Sequence, residues 1–171
     1  MHIFNKSQFL HFPKTIKTIS IGLCLFSMSV HSQILIMGGE NTISTELATY
    51  LNQDIEVYRE QSNPGDLIYA NIGLMNDDDI ATLRQALVTN KLAVLDLSSI
   101  PAEEQRTELS KQLTGVGMTS EYLVSGQLNG ESVVNVILTQ VESENMGEEQ
   151  IKESTLRSFI YVLKRFGFGD K

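Results

Sequence analysis

Residues 92–99 (LAVLDLSS) place the strongest constraint on how this chain can fold. An almost unbroken apolar run of this length, closed by two serines, is typical of a β-strand buried on both faces. Apolar residues recur at helical spacing on either side of it, in residues 80–88 and 109–116. Strands that alternate with helices in this way predict an α/β fold with a largely parallel sheet.

The pattern extends to the order β-α-β-β-α-β-α-β-β-α from residue 33 onward. Asn129-Gly130 lies between two strand-like runs and predicts a type I′ hairpin, because both central positions of that turn need φ > 0. A last helix runs from about Gly147 to Phe166. We therefore predict one three-layer α/β domain over residues 33–171, with a mostly parallel central sheet, an antiparallel C-terminal hairpin edge and a closing C-terminal helix.

The apolar spacing of the first three helices also predicts which side chains face the core. They are Ile43, Leu47, Tyr50 and Leu51 in the first helix, Ile80, Leu83, Leu87 and Val88 in the second, and Leu109, Leu113 and Val116 in the third.

Residues 1–32 have the features of a secretory signal peptide, with three lysines before an apolar stretch at residues 18–30. That stretch is shorter than the about 20 residues of a membrane-spanning helix, which disfavours an uncleaved anchor. Bulky Leu23 disfavours lipid modification of the cysteine that follows it. We predict cleavage between Ser32 and Gln33 and a periplasmic or secreted mature protein without stable membrane insertion.

Cleavage of the leader would leave the mature chain without histidine or cysteine, because residues 1–32 contain all three histidines and Cys24, the only cysteine of the chain. A Ser-His-Asp triad, a Cys-His pair and a zinc site of His or Cys ligands are therefore excluded within the mature chain. Three acids at residues 77–79 follow Asn76, and we assign them to a helix N-terminus, where negative charge is favoured. They lack the spacing of a calcium loop, so no metal and no cofactor is predicted.

Cleavage would also make the protein more acidic. The leader holds three of the 13 Lys and Arg residues and none of the 21 Asp and Glu residues, so the formal charge falls from −8 to −11. Such a surface repels nucleic acid and anionic lipid, and it either favours basic partners or contributes only to solubility. The partner we expect is another envelope or secretion-system protein.

Small polar residues follow three of the predicted strands, where parallel α/β sheets bind ligands. If these strands are neighbours, the residues form a ligand crevice made of Gly38, Gly39, Asn41, Asn71, Asp96, Ser98 and Ser99. The two glycines match neither a GxGxxG fingerprint nor a phosphate loop. A serine nucleophile with Lys111 as base would be conceivable, but no Ser-x-x-Lys motif occurs, and we assign no catalytic residue.

Residues 34–40 (ILIMGGE) and 94–97 (VLDL) resemble the first and third strands of bacterial response-regulator receiver domains. The resemblance stops at these segments, because Gly38-Gly39 replaces the acidic pair of that family and no lysine follows a fifth strand. We attribute it to convergence of two α/β patterns. A carboxylate inside an apolar strand must be paired, exposed or functional. We predict that Asp96 lies at a strand edge or pairs with Arg84 or Arg106.

These observations predict a small exported binding or accessory protein that acts by protein–protein interaction in the cell envelope or a secretion system. Binding is favoured over catalysis. The alternative is a small-ligand binder or hydrolase that uses the crevice at the strand ends.

Overall fold

The computed structural model describes residues 32–60, 63, 65–89, 91–139 and 147–169. Within these ranges the strands are β1 Ile34–Met37, β2 Ile55–Val57, β3 Leu67–Asn71, β4 Ala93–Asp96, β5 Tyr122–Leu128 and β6 Glu131–Ile137. The helices are α1 Thr42–Leu51, α2 Asp77–Val88, α3 Glu103–Thr114 and α4 Glu148–Arg165, with a short 3₁₀ turn at Ile72–Leu74. The proposed leader, apart from Ser32, lies outside the described residues.

The six strands form one sheet in the order β2-β1-β3-β4-β5-β6. Strands β2, β1, β3 and β4 pair in parallel, whereas β5 and β6 add an antiparallel hairpin at one side. Asn129 and Gly130 join the hairpin with φ values of 55° and 83°, the left-handed geometry of a type I′ turn. The predicted α/β fold and its hairpin edge are confirmed.

Helices cover the sheet in two layers, because alternate residues of each strand point to opposite faces. Tyr69 and Val94 face α1 and α4, and pack in the same core as Leu47 and Phe159. Ile68 and Leu95 face α2 and α3 and belong to the second core. All four residues of β4 have 0% exposure, so this strand is buried on both faces as its apolar run predicts.

Capping residues define where two of the helices begin. Asn41 precedes α1, and its Oδ1 accepts a 2.9 Å hydrogen bond from the Ser44 backbone N–H. Asn76 caps α2 in the same way, and Asp79 accepts a hydrogen bond back from the Asn76 N–H. The acids at residues 77–79 form the first turn of α2, which agrees with their assignment to a helix N-terminus.

Three side chains that the apolar periodicity assigns to the core are exposed: Tyr50 (64%), Val88 (75%) and Val116 (44%). Tyr50 lies at the flank of the buried stripe of α1. Val88 is the last residue of α2, and Val116 follows the end of α3, which stops at Gly115 with φ 82°. Helical spacing no longer sets the direction of a side chain at or beyond a helix end. Within the described ranges, no helix combines the length and apolar character needed to cross a bilayer.

Candidate functional site

The carboxyl ends of β1, β3 and β4 meet at one edge of the sheet, because these strands are neighbours. The backbones approach closely there, and a Cβ on Gly38 would collide with the Asn71 carbonyl oxygen. A Cβ on Gly73 would likewise collide with the Ser99 hydroxyl. Close packing therefore fills part of the space in which a ligand would lie.

Asp96 is the centre of a hydrogen-bonded cluster at this edge and has no solvent exposure (0%). Its Oδ2 accepts hydrogen bonds from the Tyr69 hydroxyl and from Nδ2 of Asn41, both 2.6 Å long. Its Oδ1 accepts hydrogen bonds from the backbone N–H (2.9 Å) and the hydroxyl (2.6 Å) of Ser98. Four donors satisfy the buried carboxylate without a cation.

The predicted pairing of Asp96 with an arginine is therefore wrong. Arg84 is exposed on α2. Arg106 is buried, but its guanidinium donates to three backbone carbonyls, those of Thr119 (2.6 Å), Ile100 (2.7 Å) and Pro101 (3.2 Å). It ties α3 to the segments on either side of that helix.

Two tyrosines complete the polar cluster. Burial raises the pKa of Tyr69 well above its ordinary value of 10.0, and the charge of Asp96 raises it further. Burial also raises the pKa of Tyr122, while a hydrogen bond with the Ser98 side chain partly opposes that shift. Both phenols are therefore neutral at physiological pH, and Tyr69 is held as a hydrogen-bond donor.

The cluster offers little to a substrate. The Ser98 hydroxyl donates to Asp96, and Lys111 is exposed toward the other end of α3, away from Ser98. In the described part of the chain, no group of three His, Cys, Asp or Glu side chains is placed to hold a metal ion. Gly39, Ser98 and Ser99 are exposed, whereas Asn71 and Asp96 are buried. The ligand crevice stays a prediction.

One depression of the described surface, about 660 Å³, lies between the end of β2 and α2 and is lined largely by polar side chains, among them Thr82, Gln85 and Lys91. A second depression, of about 370 Å³, lies at the ends of β1 and β2 and includes Gly38 of the predicted crevice. Asp96 and the side chains that donate to it line neither of these two depressions.

A groove of about 460 Å³ runs between the C-terminal ends of α2 and α3 and the β5–β6 hairpin. We call it the hairpin groove. Its lining is mainly apolar and consists of Leu87, Val88, Leu113, Thr114, Val116, Met118, Ser125, Gly126, Ser132 and Val134. Contiguous exposed apolar surface on a protein marks an interaction site more often than an isolated apolar side chain does.

Strand β6 lies beside this groove at the edge of the sheet, and among the described strands it pairs only with β5. Natural edge strands are commonly protected by charged residues or proline. Residues 132–138 (SVVNVIL) contain neither, and Leu138 is 73% exposed.

Sequence reasoning missed the hairpin groove because it counted Val88 and Val116 as core residues. A usable signal was present, since Val88 lies two residues before Asn90, where its helix is predicted to end, and Val116 directly follows Gly115.

One curated protein is similar to the chain over most of its length. Along 157 residues the chain is 28% identical to a protein of Vibrio vulnificus (strain CMCP6) named cytolysin secretion protein. The match covers 90% of this chain and 94% of that protein, and it therefore includes part of residues 1–32. No family model and no solved structure matches the chain. The similarity is consistent with a secretion-related, exported protein.

Proposed function

We propose that the chain is a small accessory protein of protein secretion, exported to the periplasm, that acts by binding another protein through the hairpin groove. The observation that carries this proposal is the position of an exposed apolar groove beside an edge strand, β6, that carries no charged residue after Glu131. The similarity to a protein named for cytolysin secretion supports a role in secretion, because it extends over nearly the full length of both chains.

The groove and the edge strand favour one mode of binding. An extended segment of the partner can pair with the edge of β6 that faces away from β5, to which no other described strand is paired, and form main-chain hydrogen bonds there. Apolar residues of the same partner can then fill the groove against Val88 and Val116, which supplies the hydrophobic part of the affinity. The polar cluster around Asp96 has a structural role in this proposal, since its groups satisfy one another.

The test places a charge in the groove. The double variant Val88→Asp/Val116→Asp should lose partner capture from envelope extracts. In the native host it should also reduce secretion of the protein whose export this accessory protein assists. A matched control, Val57→Asp/Leu74→Asp, alters apolar residues that are 74% and 64% exposed elsewhere on the surface. Both double variants should keep the melting temperature within a few degrees, since all four residues are exposed. Retained capture by the groove variant would refute this surface.

A second variant separates binding at the groove from chemistry at the strand ends. Ser98→Ala should leave capture and secretion unchanged, because the Ser98 hydroxyl bonds within the polar cluster, to Asp96 and Tyr122, and not in the groove. Loss of function in this variant, with its fold intact, would instead favour the ligand-binding or hydrolase alternative.

Export itself has a direct test. We expect the mature protein to begin at Gln33, and N-terminal sequencing of protein isolated from the periplasm of the native host measures this. A protein that still begins at Met1, or that is recovered from the cytosol, would contradict export and the charge of −11 that depends on it.

A further inference from the structure

The outward face of the second half of α4 is basic, although the chain as a whole is strongly acidic. Arg157, Tyr161, Lys164 and Arg165 follow i, i+4, i+7, i+8 spacing and therefore share one face of the helix. All four are exposed, and the side chain of Tyr161 is 69% accessible. We call these four residues the α4 basic stripe.

The surrounding sequence makes the stripe unusual for this protein. No acidic residue occurs between Glu153 and Asp170, in a chain with 21 acidic residues and a formal net charge of −8. At physiological ionic strength, charges beyond about 8 Å are largely screened. A ligand at the stripe therefore experiences mainly the nearby charges, which along this part of α4 are Arg157, Lys164, Arg165 and the carboxylate of Glu153, rather than the negative total.

The helix dipole explains only part of this arrangement. Lys164 and Arg165 lie in the last turn, where positive charge is favoured, but the effect falls off within that turn. It does not account for Arg157, about two turns earlier, or for an exposed aromatic residue between the cations. Arg157 contacts Glu153 at 2.6 Å, and both side chains are well exposed (73% and 61%), so this pair can exchange for another carboxylate.

Lys152, also on α4, differs from the cations of the stripe because it has a structural role. Its Nζ lies 2.9 Å from carboxylate oxygens of both Glu46 and Glu149, and the Glu46 contact links α4 to α1. We therefore exclude Lys152 from the stripe.

We propose that the α4 basic stripe binds an acidic segment of a partner protein. Arginine forks match carboxylate geometry, and an exposed tyrosine supplies apolar contact area with a polar tip, which is a common combination at interfaces. A protein segment is favoured over an anionic membrane surface. The apolar face of α4 is buried in the protein's own core, where Phe159 and Leu163 have 0% exposure, so the helix cannot insert that face into a bilayer.

This inference is independent of the hairpin groove. Helix α4 packs on the α1 side of the sheet, whereas the groove lies on the side of α2 and α3. The protein would then present an apolar surface on one side and a basic surface on the other.

The test uses the whole mature protein and a fluorescein-labelled poly-glutamate peptide, with binding followed by fluorescence anisotropy. The triple variant Arg157→Gln/Lys164→Gln/Arg165→Gln should weaken binding roughly tenfold, the sum expected for three exposed charge pairs. A matched control, Arg59→Gln/Arg84→Gln/Lys111→Gln, removes the same charge from exposed positions elsewhere and should change the affinity less than about twofold.

Further variants separate the possible outcomes. Tyr161→Ala keeps the charge and should still weaken binding, and the difference between stripe and control variants should shrink at high salt. The groove variant Val88→Asp/Val116→Asp should bind the peptide as the wild type does. The peptide assay therefore tests the α4 basic stripe independently of the proposal for the hairpin groove.

Several results would overturn the inference. They are absence of peptide binding by the wild type, equal losses in the two triple variants, stripe-dependent binding of anionic phosphatidylglycerol vesicles without peptide binding, and stripe-dependent self-association by size-exclusion chromatography. Circular dichroism of each variant checks that the helix is retained.

Discussion

The Tyr69 hydroxyl donates a 2.6 Å hydrogen bond to Oδ2 of Asp96 from the neighbouring strand of the sheet. Both side chains lie on the face covered by α1 and α4, and Asp96 has no solvent exposure. Nδ2 of Asn41, the residue that caps α1, donates to the same oxygen. One carboxylate thus connects β3, β4 and the start of α1, which gives the strand-end cluster its role in stability.

Removal of this carboxylate should be costly. In Asp96→Ala the donors of Tyr69, Asn41 and Ser98 lose their acceptor, and an unsatisfied buried donor costs about 1–3 kcal/mol. We expect the free energy of unfolding to fall by about 3 kcal/mol or more, measured by urea denaturation. Glu103→Ala removes an exposed carboxylate and should change stability by less than about 0.5 kcal/mol. A similar small effect from Asp96→Ala would contradict the role of the cluster.

Tyr69 should make the protein sensitive to alkali. Its folded-state pKa is raised above the unfolded value of 10.0, so the neutral phenol contributes stability that is fully present below pH 10. That contribution is lost as the pH rises above 10, because the unfolded chain then releases the proton more readily. Melting temperature should fall in this range, and Tyr69→Phe should make the decline shallower although its stability at neutral pH is lower. An unchanged slope in Tyr69→Phe would argue against this effect.

Two glycines with similar φ angles should respond differently to alanine. Gly38 has φ 78° and Gly115 has φ 82°, so both substitutions carry a left-handed backbone penalty of about 1 kcal/mol. A Cβ at Gly38 also collides with the Asn71 carbonyl oxygen, whereas a Cβ at Gly115 has no neighbour within 4 Å. Thermal melting should therefore show a clearly larger loss for Gly38→Ala. Equal losses would mean that the approach of β1 to β3 is not tight.

Two aromatic residues of α4, one buried and one exposed, provide a test of its packing. Phe159 is fully buried and meets Tyr122 edge-on, with ring centroids 5.4 Å apart. Phe159→Ala should cost about 3–5 kcal/mol in urea denaturation. Tyr161→Ala removes an exposed ring from the same helix and should cost less than about 0.5 kcal/mol. A negligible change for Phe159→Ala would refute the packing of α4 on the sheet.

For the strand-end crevice, the sequence predicted which residues lie close together but not the hydrogen bonds between them. The sequence identified Asn41, Asp96 and Ser98 as neighbours, because carboxyl ends of adjacent parallel strands meet. It did not show that these groups bond to one another, and it offered for Asp96 a position at a strand edge or a pairing with an arginine. The donors come from residues up to 55 positions apart, and only strand order and register bring them together.

The sequence by itself determined the alternation of strands and helices, the hairpin at Asn129-Gly130 and the exclusion of histidine and cysteine chemistry from residues 33–171. These features depend on local periodicity, turn geometry and residue type, which the chain carries without reference to distant neighbours. The tertiary structure decided that Asp96 is satisfied internally, that Val88 and Val116 border an exposed groove, and that the cations of α4 share an open face. Burial and exposure depend on what packs against each element, and that is set by the whole fold.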